Sequence, residues 1–304
     1  GQKRVGRPYV TFAGYVEHGA SQEPGRVEET ADQAKQEAKM EKTLAMLNEK
    51  WSAVDYDFDE HLNSKGTENP VLLTKVSDEN FEMLEDHQMQ VQNMFASRFL
   101  ATFETEIVYW QRGLSNVMEV STLMSEVQRS WTFLENLFIH SEEVKKELPE
   151  ESERFVNIDA DVREIVKSAE MIKSCKDFCN IEGIFNKLEK IETQLTMCEK
   201  ALNDFMDGKR RAFPRFYFMS SADLLDVLSN GNQPDKVVLQ FPKFFICIDK
   251  YLIDWPDGKD KRPSAVSMVS CVGSETVPFP EPLPLYGKVE IYLDRCIEAF
   301  RHCI

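Results

Sequence analysis

The sharpest metal candidate in the sequence is Asp55, Asp57 and Asp59, whose alternating carboxylates copy the opening of a calcium-binding loop. Such a loop needs glycine at its sixth position for a tight turn and a bidentate glutamate at its twelfth to close the oxygen shell. Counted from Asp55, those positions hold Glu60 and Gly66, so the run reads as the solvated face of a strand. Cys175 and Cys179 would share one helix face. The nearest histidines in sequence are His140 and His302, and no second cysteine pair has ligand spacing, so these two read as ordinary buried thiols. Phosphate chemistry of the P-loop kind needs an upstream glycine and a hydroxyl residue after the Gly-Lys pair. The Gly-Lys pairs at 208, 258 and 287 have neither. His18, His61 and His87 stand alone, with no Gly-x-Ser-x-Gly elbow and no His-Glu-x-x-His helix. No catalytic residue, cofactor ligand or metal ligand is expected, and the chain is read as a non-enzyme.

The run Phe213 to Phe218 could stack nucleobases, since Lys209, Arg210, Arg211 and Arg215 lie beside it. It lacks the glycines of the RNA-binding aromatic pattern. The whole chain also carries 52 acidic against 36 basic side chains, a formal charge of −16 that repels phosphate backbones and anionic lipid. Core packing or a protein contact is the better reading, with neither nucleic acid nor membrane as partner. No stretch approaches the roughly 20 apolar residues needed to cross a bilayer, and Gly1 to Arg7 lack the apolar core of a secretory signal. A cytoplasmic chain is expected. Its seven cysteines, an odd count scattered among helical patterns, are expected as reduced thiols. Because residue 1 is not methionine and the last helical pattern runs into Ile304, the chain is read as a piece of a longer polypeptide.

The elements that must position these residues are mostly helical. Residues 1–25, rich in glycine, read as an irregular lead-in. A helix follows over 27–51, with Ala34, Ala38, Leu44, Leu47 and Trp51 on its inner face. Val54, Tyr56 and Phe58 alternate with the three aspartates, which predicts a strand, returned by a second over 71–76. Residues 77–138 carry apolar groups at helical spacing, with a break or kink expected at Gly113. Further helices are expected over 141–148, stopping at Pro149, over 159–173, and over 183–207, stopping at Gly208. The aromatic run 213–218 predicts a strand, and 223–228 a short helix ended by Asn230-Gly231. One broken helix or two short ones are expected between 234 and 254, around Pro242, before a polar turn at 255–263. Residues 265–279 read as a hairpin turned by Gly273-Ser274, with the four prolines of 278–284 terminating its second arm. A closing helix follows Gly287. The expected fold is mainly α, an elongated stack of helical bundles with short β-hairpin insertions, divided as 1–25, 26–208 and 209–304.

One stretch resembles a known family. Lys209-Arg210-Arg211-Ala212-Phe213-Pro214-Arg215-Phe216-Tyr217-Phe218, followed by Ser220, Ser221 and Asp223 to Ser229, is similar to the signature of the dynein heavy-chain linker. Val127 to Glu135, Ile139 to Leu148 and Arg154-Phe155 support it upstream, and Val277-Pro278-Phe279 with Gly287 to Leu293 downstream. Cys198 to Leu202 look more like axonemal outer-arm beta-type chains than cytoplasmic ones. Residues 235–262 depart from the pattern. The resemblance implies a helical lever lying across a ring of AAA+ modules of the same heavy chain and joined to it at the C-terminal end. ATP and magnesium would be bound by that ring and not by this segment. The further partners implied are other dynein chains, and microtubules only through the parent motor, in the axoneme of a cilium or flagellum. On the same ground Arg211, Phe213, Arg215, Phe216, Tyr217, Phe218 and Gly273 are the candidate contacts with the ring or between subdomains. The rival expectation is a helical scaffold or tail module that binds partner proteins without a stroke.

Overall fold

A computed structural model describes residues 24–62, 70–97, 100–231, 233–255 and 263–303. The lead-in 1–23, most of the turn before Pro70 and the polar turn at 256–262 lie outside them. The described residues form ten α-helices and two small antiparallel sheets, a mainly α fold with short β insertions. They divide into two compact units, one of residues up to 61, 71–125 and 165–188, the other chiefly of 126–164 and 189 onward.

In the first unit, α1 (Pro24–Trp51) buries Met40, Leu44, Leu47 and Trp51 at steps of four, three and four. Ala34 and Ala38 are exposed, contrary to expectation. A methyl group buries little area, so the packed face begins only where larger side chains do. The hairpin β1 (Asp57–His61) and β2 (Val71–Lys75) pairs Asp57 with Lys75 and His61 with Val71. Next, α2 (Asp78–Phe95) starts at Ser77, whose Oγ accepts from the Asn80 amide at 3.3 Å. The chain breaks after Phe95, passes a 3-10 turn at Leu100–Thr102, and then runs as α3 (Glu104–His140) straight through Gly113. Of the expected break or kink at Gly113, a break is therefore excluded. A glycine inside a helix costs only about 1 kcal/mol, and here Trp110, Leu114 and Val117 are all buried around it while Asn180 donates to the Gly113 carbonyl at 3.3 Å. The short helix α4 (Glu142–Glu147), capped by Ser141, belongs to the second unit, and α5 (Pro149–Ile172) follows. Pro149 opens α5 rather than merely ending its predecessor. Proline's missing amide is harmless at the first helical position, so the helix begins ten residues before the expected Asp159. Back in the first unit, α6 (Cys175–Cys179) is capped by Ser174 and tied to the segment before β1. The Cys175 amide donates to the Val54 carbonyl at 3.1 Å, and the Tyr56 amide to the Lys173 carbonyl at 2.9 Å.

In the second unit, α7 (Ile184–Ala212, begun in the first) continues four residues past Gly208. Its last turn carries Lys209, Arg210 and Arg211, cations that suit the negative end of a helix. The expected strand at 213–218 is instead a 3-10 helix, Pro214–Phe218. Among the described residues no strand offers it a ladder, and the three-residue repeat turns Phe213 and Phe216 inward together, so packing overrides β propensity. Ser220 caps α8 (Ser221–Ser229), and α9 (Pro234–Val238) and a 3-10 turn at Phe241–Lys243 precede β3 (Ile248–Asp254). That strand replaces the second half of the expected helices. β4 (Ser264–Ser270) pairs with it and with β5 (Thr276–Pro284). The four prolines do not terminate β5, because it is an edge strand and an edge can spare amides. The loop between β4 and β5 is also longer than two residues. The Ser270 amide donates to the Glu275 carbonyl at 2.9 Å, enclosing 271–274, with Gly273 and Ser274 both at positive φ. Finally α10 (Val289–Cys303) buries Val289, Tyr292, Leu293 and Cys296 after Gly287, whose φ of +92° favours glycine.

Candidate functional site

The signature segment forms a joint at the end of α7. Lys209 is buried, and its Nζ donates to Glu290 Oε1 of α10 at 2.7 Å while lying 5.2 Å from the Phe205 ring. Among the described residues, Glu290 Oε2 is buried without a hydrogen-bond partner. Two charges held in low dielectric attract strongly, but each also loses its hydration, so the pair fixes geometry more surely than it adds stability. A second tie lies at the surface, where Lys288 Nζ donates to Glu147 Oε1 at 3.0 Å. The Lys288 hydrogen bond is the main reason the Glu147 carboxyl sits below the usual carboxylate range.

Beside the ion pair the rings assemble. Phe213 and Phe216, both 0 % exposed, meet edge to face at 4.8 Å, and each contacts Phe244 at about 6 Å. Phe244 leads on to Phe241 and Phe245, and Phe241 meets Tyr251 at 4.6 Å. Tyr251 then touches Phe279 of β5 and Phe300 of α10. Arg215 closes the near side, its guanidinium donating to the Phe244 carbonyl at 3.2 Å and lying 5.1 Å from the Phe245 ring. Edge-to-face pairs each contribute about 0.5–1.5 kcal/mol beyond their buried area, so the chain of rings makes a stiff core.

The candidate residues named from sequence therefore separate. Phe213, Arg215 and Phe216 come together inside the joint. Tyr217 and Phe218, 59 % and 75 % exposed, point out of it, as does Arg211. Gly273 lies apart at the β4–β5 loop, where a Cβ would meet nothing within 4 Å. The candidate contacts named from sequence did not include Glu290, Phe279 or Phe300, although the first two lie in stretches that carry the resemblance, nor Phe241, Phe244, Phe245 and Tyr251. The density of phenylalanine at 241–245 was the available signal. Among the described residues there is no group of three or more His, Cys, Asp or Glu side chains able to hold a metal ion. Asp57 and Asp59 are exposed on β1, and Asp55 bridges to Ser174. No helix of the described residues is long and apolar enough to cross a membrane.

Such a site belongs to a helical protein whose signature residues build a packed joint with an exposed aromatic rim. The comparisons agree with that class and narrow it. The chain belongs to the dynein heavy chain family, matching the region described as "Dynein heavy chain, N-terminal region 2" over residues 2–304. It is 48 % identical to the dynein alpha chain of the flagellar outer arm of Chlamydomonas reinhardtii over 91 % of its length. It is also 39 % identical to the ciliary dynein beta chain of Heliocidaris crassispina over 91 %, and 40 % identical to human dynein axonemal heavy chain 9 over 88 %. In each case it spans 6 % of the relative's length. The axonemal relatives include both alpha and beta chains.

Proposed function

We propose that this chain is the mechanical linker of an axonemal dynein heavy chain, passing ATP-driven changes in the AAA+ ring of the parent chain into a power stroke along microtubules. The observation that carries the reading is the joint itself. The signature from Lys209 to Phe218 is fixed to α10 by a buried ion pair and a continuous run of rings, while Tyr217 and Phe218 remain outside. Close-packed rings transmit displacement because they resist small distortions, and exposed aromatics can stabilise one docked position over another through contacts present in only one state. The ring, other dynein chains and, through the parent motor, the microtubule are the partners this role requires. In this reading nucleotide and magnesium are bound by the ring of the parent chain.

The test is a distance measurement in the full heavy chain. A fluorophore at exposed Leu239 and another on the ring should change their energy transfer between nucleotide-free and ATP-bound states. An unchanged transfer efficiency across nucleotide states, in a motor that still moves microtubules, contradicts the role and leaves a static scaffold.

A further inference from the structure

We infer that Cys247 and Cys271 form an accessible cross-strand dithiol site, a modification site for small-molecule disulfides and trivalent arsenicals. The β3–β4 register ends with Ile248 paired to Ser270, and Cys247 and Cys271 are the residues just beyond that end of the ladder. There the Cys271 amide donates to the Cys247 carbonyl at 3.0 Å. A cross-strand bond of this kind holds the two Cα atoms about 5.5 Å apart. That separation falls inside the range of about 4.4–6.8 Å found between the Cα atoms of disulfide-bonded cysteines. Both thiols are free and both residues are exposed, whereas Cys175, Cys179, Cys198 and Cys296 are buried and Cys303 is intermediate. Cys247 also lines an open cleft of about 590 Å³ together with Arg215, Phe245, Ile246, Met268 and Ser270, which gives a small reagent room to reach it.

The chemistry balances. One cysteine, as thiolate, attacks a sulfur of oxidised glutathione, breaking its S–S bond, forming a mixed disulfide and releasing one glutathione thiolate. The opposed cysteine gives its proton to solvent and attacks the protein-bound sulfur, and the second glutathione thiolate leaves. Two protein thiols are oxidised to one disulfide, and one glutathione disulfide is reduced to two thiols. With phenylarsine oxide, two S–H groups and one As=O group give two As–S bonds and water. Either product fastens the segment carrying Phe245 to β4 and so bears on the ring cluster.

The test uses the full chain, reduced, then equilibrated with oxidised glutathione, quenched with an alkylating agent and mapped by peptide mass spectrometry. A cross-linked Cys247–Cys271 peptide should be the main oxidised species, while the four buried cysteines become alkylated only after denaturation. Cys247→Ser should leave a persistent glutathione adduct on Cys271, Cys271→Ser the mirror adduct on Cys247, and each should lower phenylarsine oxide affinity at least tenfold. Adducts on both cysteines of the unsubstituted chain without the cross-link overturn the proposal. So do thiols that stay unmodified, or arsenical binding that is unchanged in the single variants.

Discussion

The buried polar atoms of the first unit are neutral and matched in small sets, whereas those of the second include full charges. In the first, Trp51 Nε1 donates to His87 Nδ1 at 3.1 Å. The Tyr56 hydroxyl lies 3.0 Å from the Cys179 sulfur, and Ser121 is within reach of both thiols of α6. Burial holds His87 below the ordinary histidine range, so its imidazole stays neutral and can accept from the indole. In the second unit, Arg163 donates to buried Glu135 at 2.6 Å and to Asp159 at 2.9 Å, and Asp159 also accepts from Trp131. Lys209 and Glu290 are buried together at the joint. Neutral pairs cost less to bury than charges, and losing one partner strands a polar group at about 1–3 kcal/mol. A buried ion pair is severe in both respects, because a charge left alone cannot be rehydrated. The unit that holds the family signature is thus the one whose polar core specifies a single arrangement most strictly.

That contrast can be broken most forcefully at the rings. Phe241→Ala removes a buried side chain that contacts Phe244, Phe245 and Tyr251, and should destabilise the second unit by about 3–5 kcal/mol in denaturant unfolding. Next, Lys209→Met strands the Glu290 carboxylate and should cost about 3 kcal/mol, while the double change Lys209→Met with Glu290→Leu should recover most of the loss. Equal losses in the single and double variants would show that packing around Lys209, not its charge, matters there. The neutral pair of the first unit should respond less. Trp51→Phe keeps most of the ring but deletes the donor to His87, with an expected cost of about 1–2 kcal/mol in the same measurement. The smallest effect belongs to the exposed tie. Since the Glu147 carboxyl is depressed chiefly by Lys288, its contribution is complete above the usual carboxylate range and is lost as pH falls through the lowered value. Glu147→Gln should therefore remove less than about 1 kcal/mol near neutral pH and nothing in strong acid.

How far the sequence foretold these regions follows the range of the forces involved. Apolar spacing set by the helical repeat was legible, so α1, α7, α8 and α10 stand close to where periodicity places them. The alternation of Val54, Tyr56 and Phe58 with aspartates likewise located the first hairpin. Punctuation by single residues was less reliable. Gly113 and Gly208 lie inside helices because long-range packing outweighs about 1 kcal/mol of backbone preference. Pro149 starts a helix, and the prolines of 278–284 sit in an edge strand. The joint was legible only in part. Phe213 and Phe216 were visible as a motif, but whether they face inward depends on Phe244, 28 to 31 residues away, and through it on Phe241 and Phe245. Glu290 was visible within the Gly287 to Leu293 stretch, but its pairing with Lys209 spans 81 positions and no local spacing joins the two.

The central claim is that the aromatic rim of the joint conveys movement and takes no part in hydrolysis. It is tested most directly by measuring microtubule gliding velocity and ATP turnover together in the full motor carrying Tyr217→Ala and Phe218→Ala. Because both side chains are exposed, folding should be preserved. The expected result is gliding slowed several-fold while microtubule-free ATP turnover persists, so that less movement is obtained per nucleotide hydrolysed. Unchanged gliding, or loss of microtubule-free ATP turnover together with gliding, would contradict it.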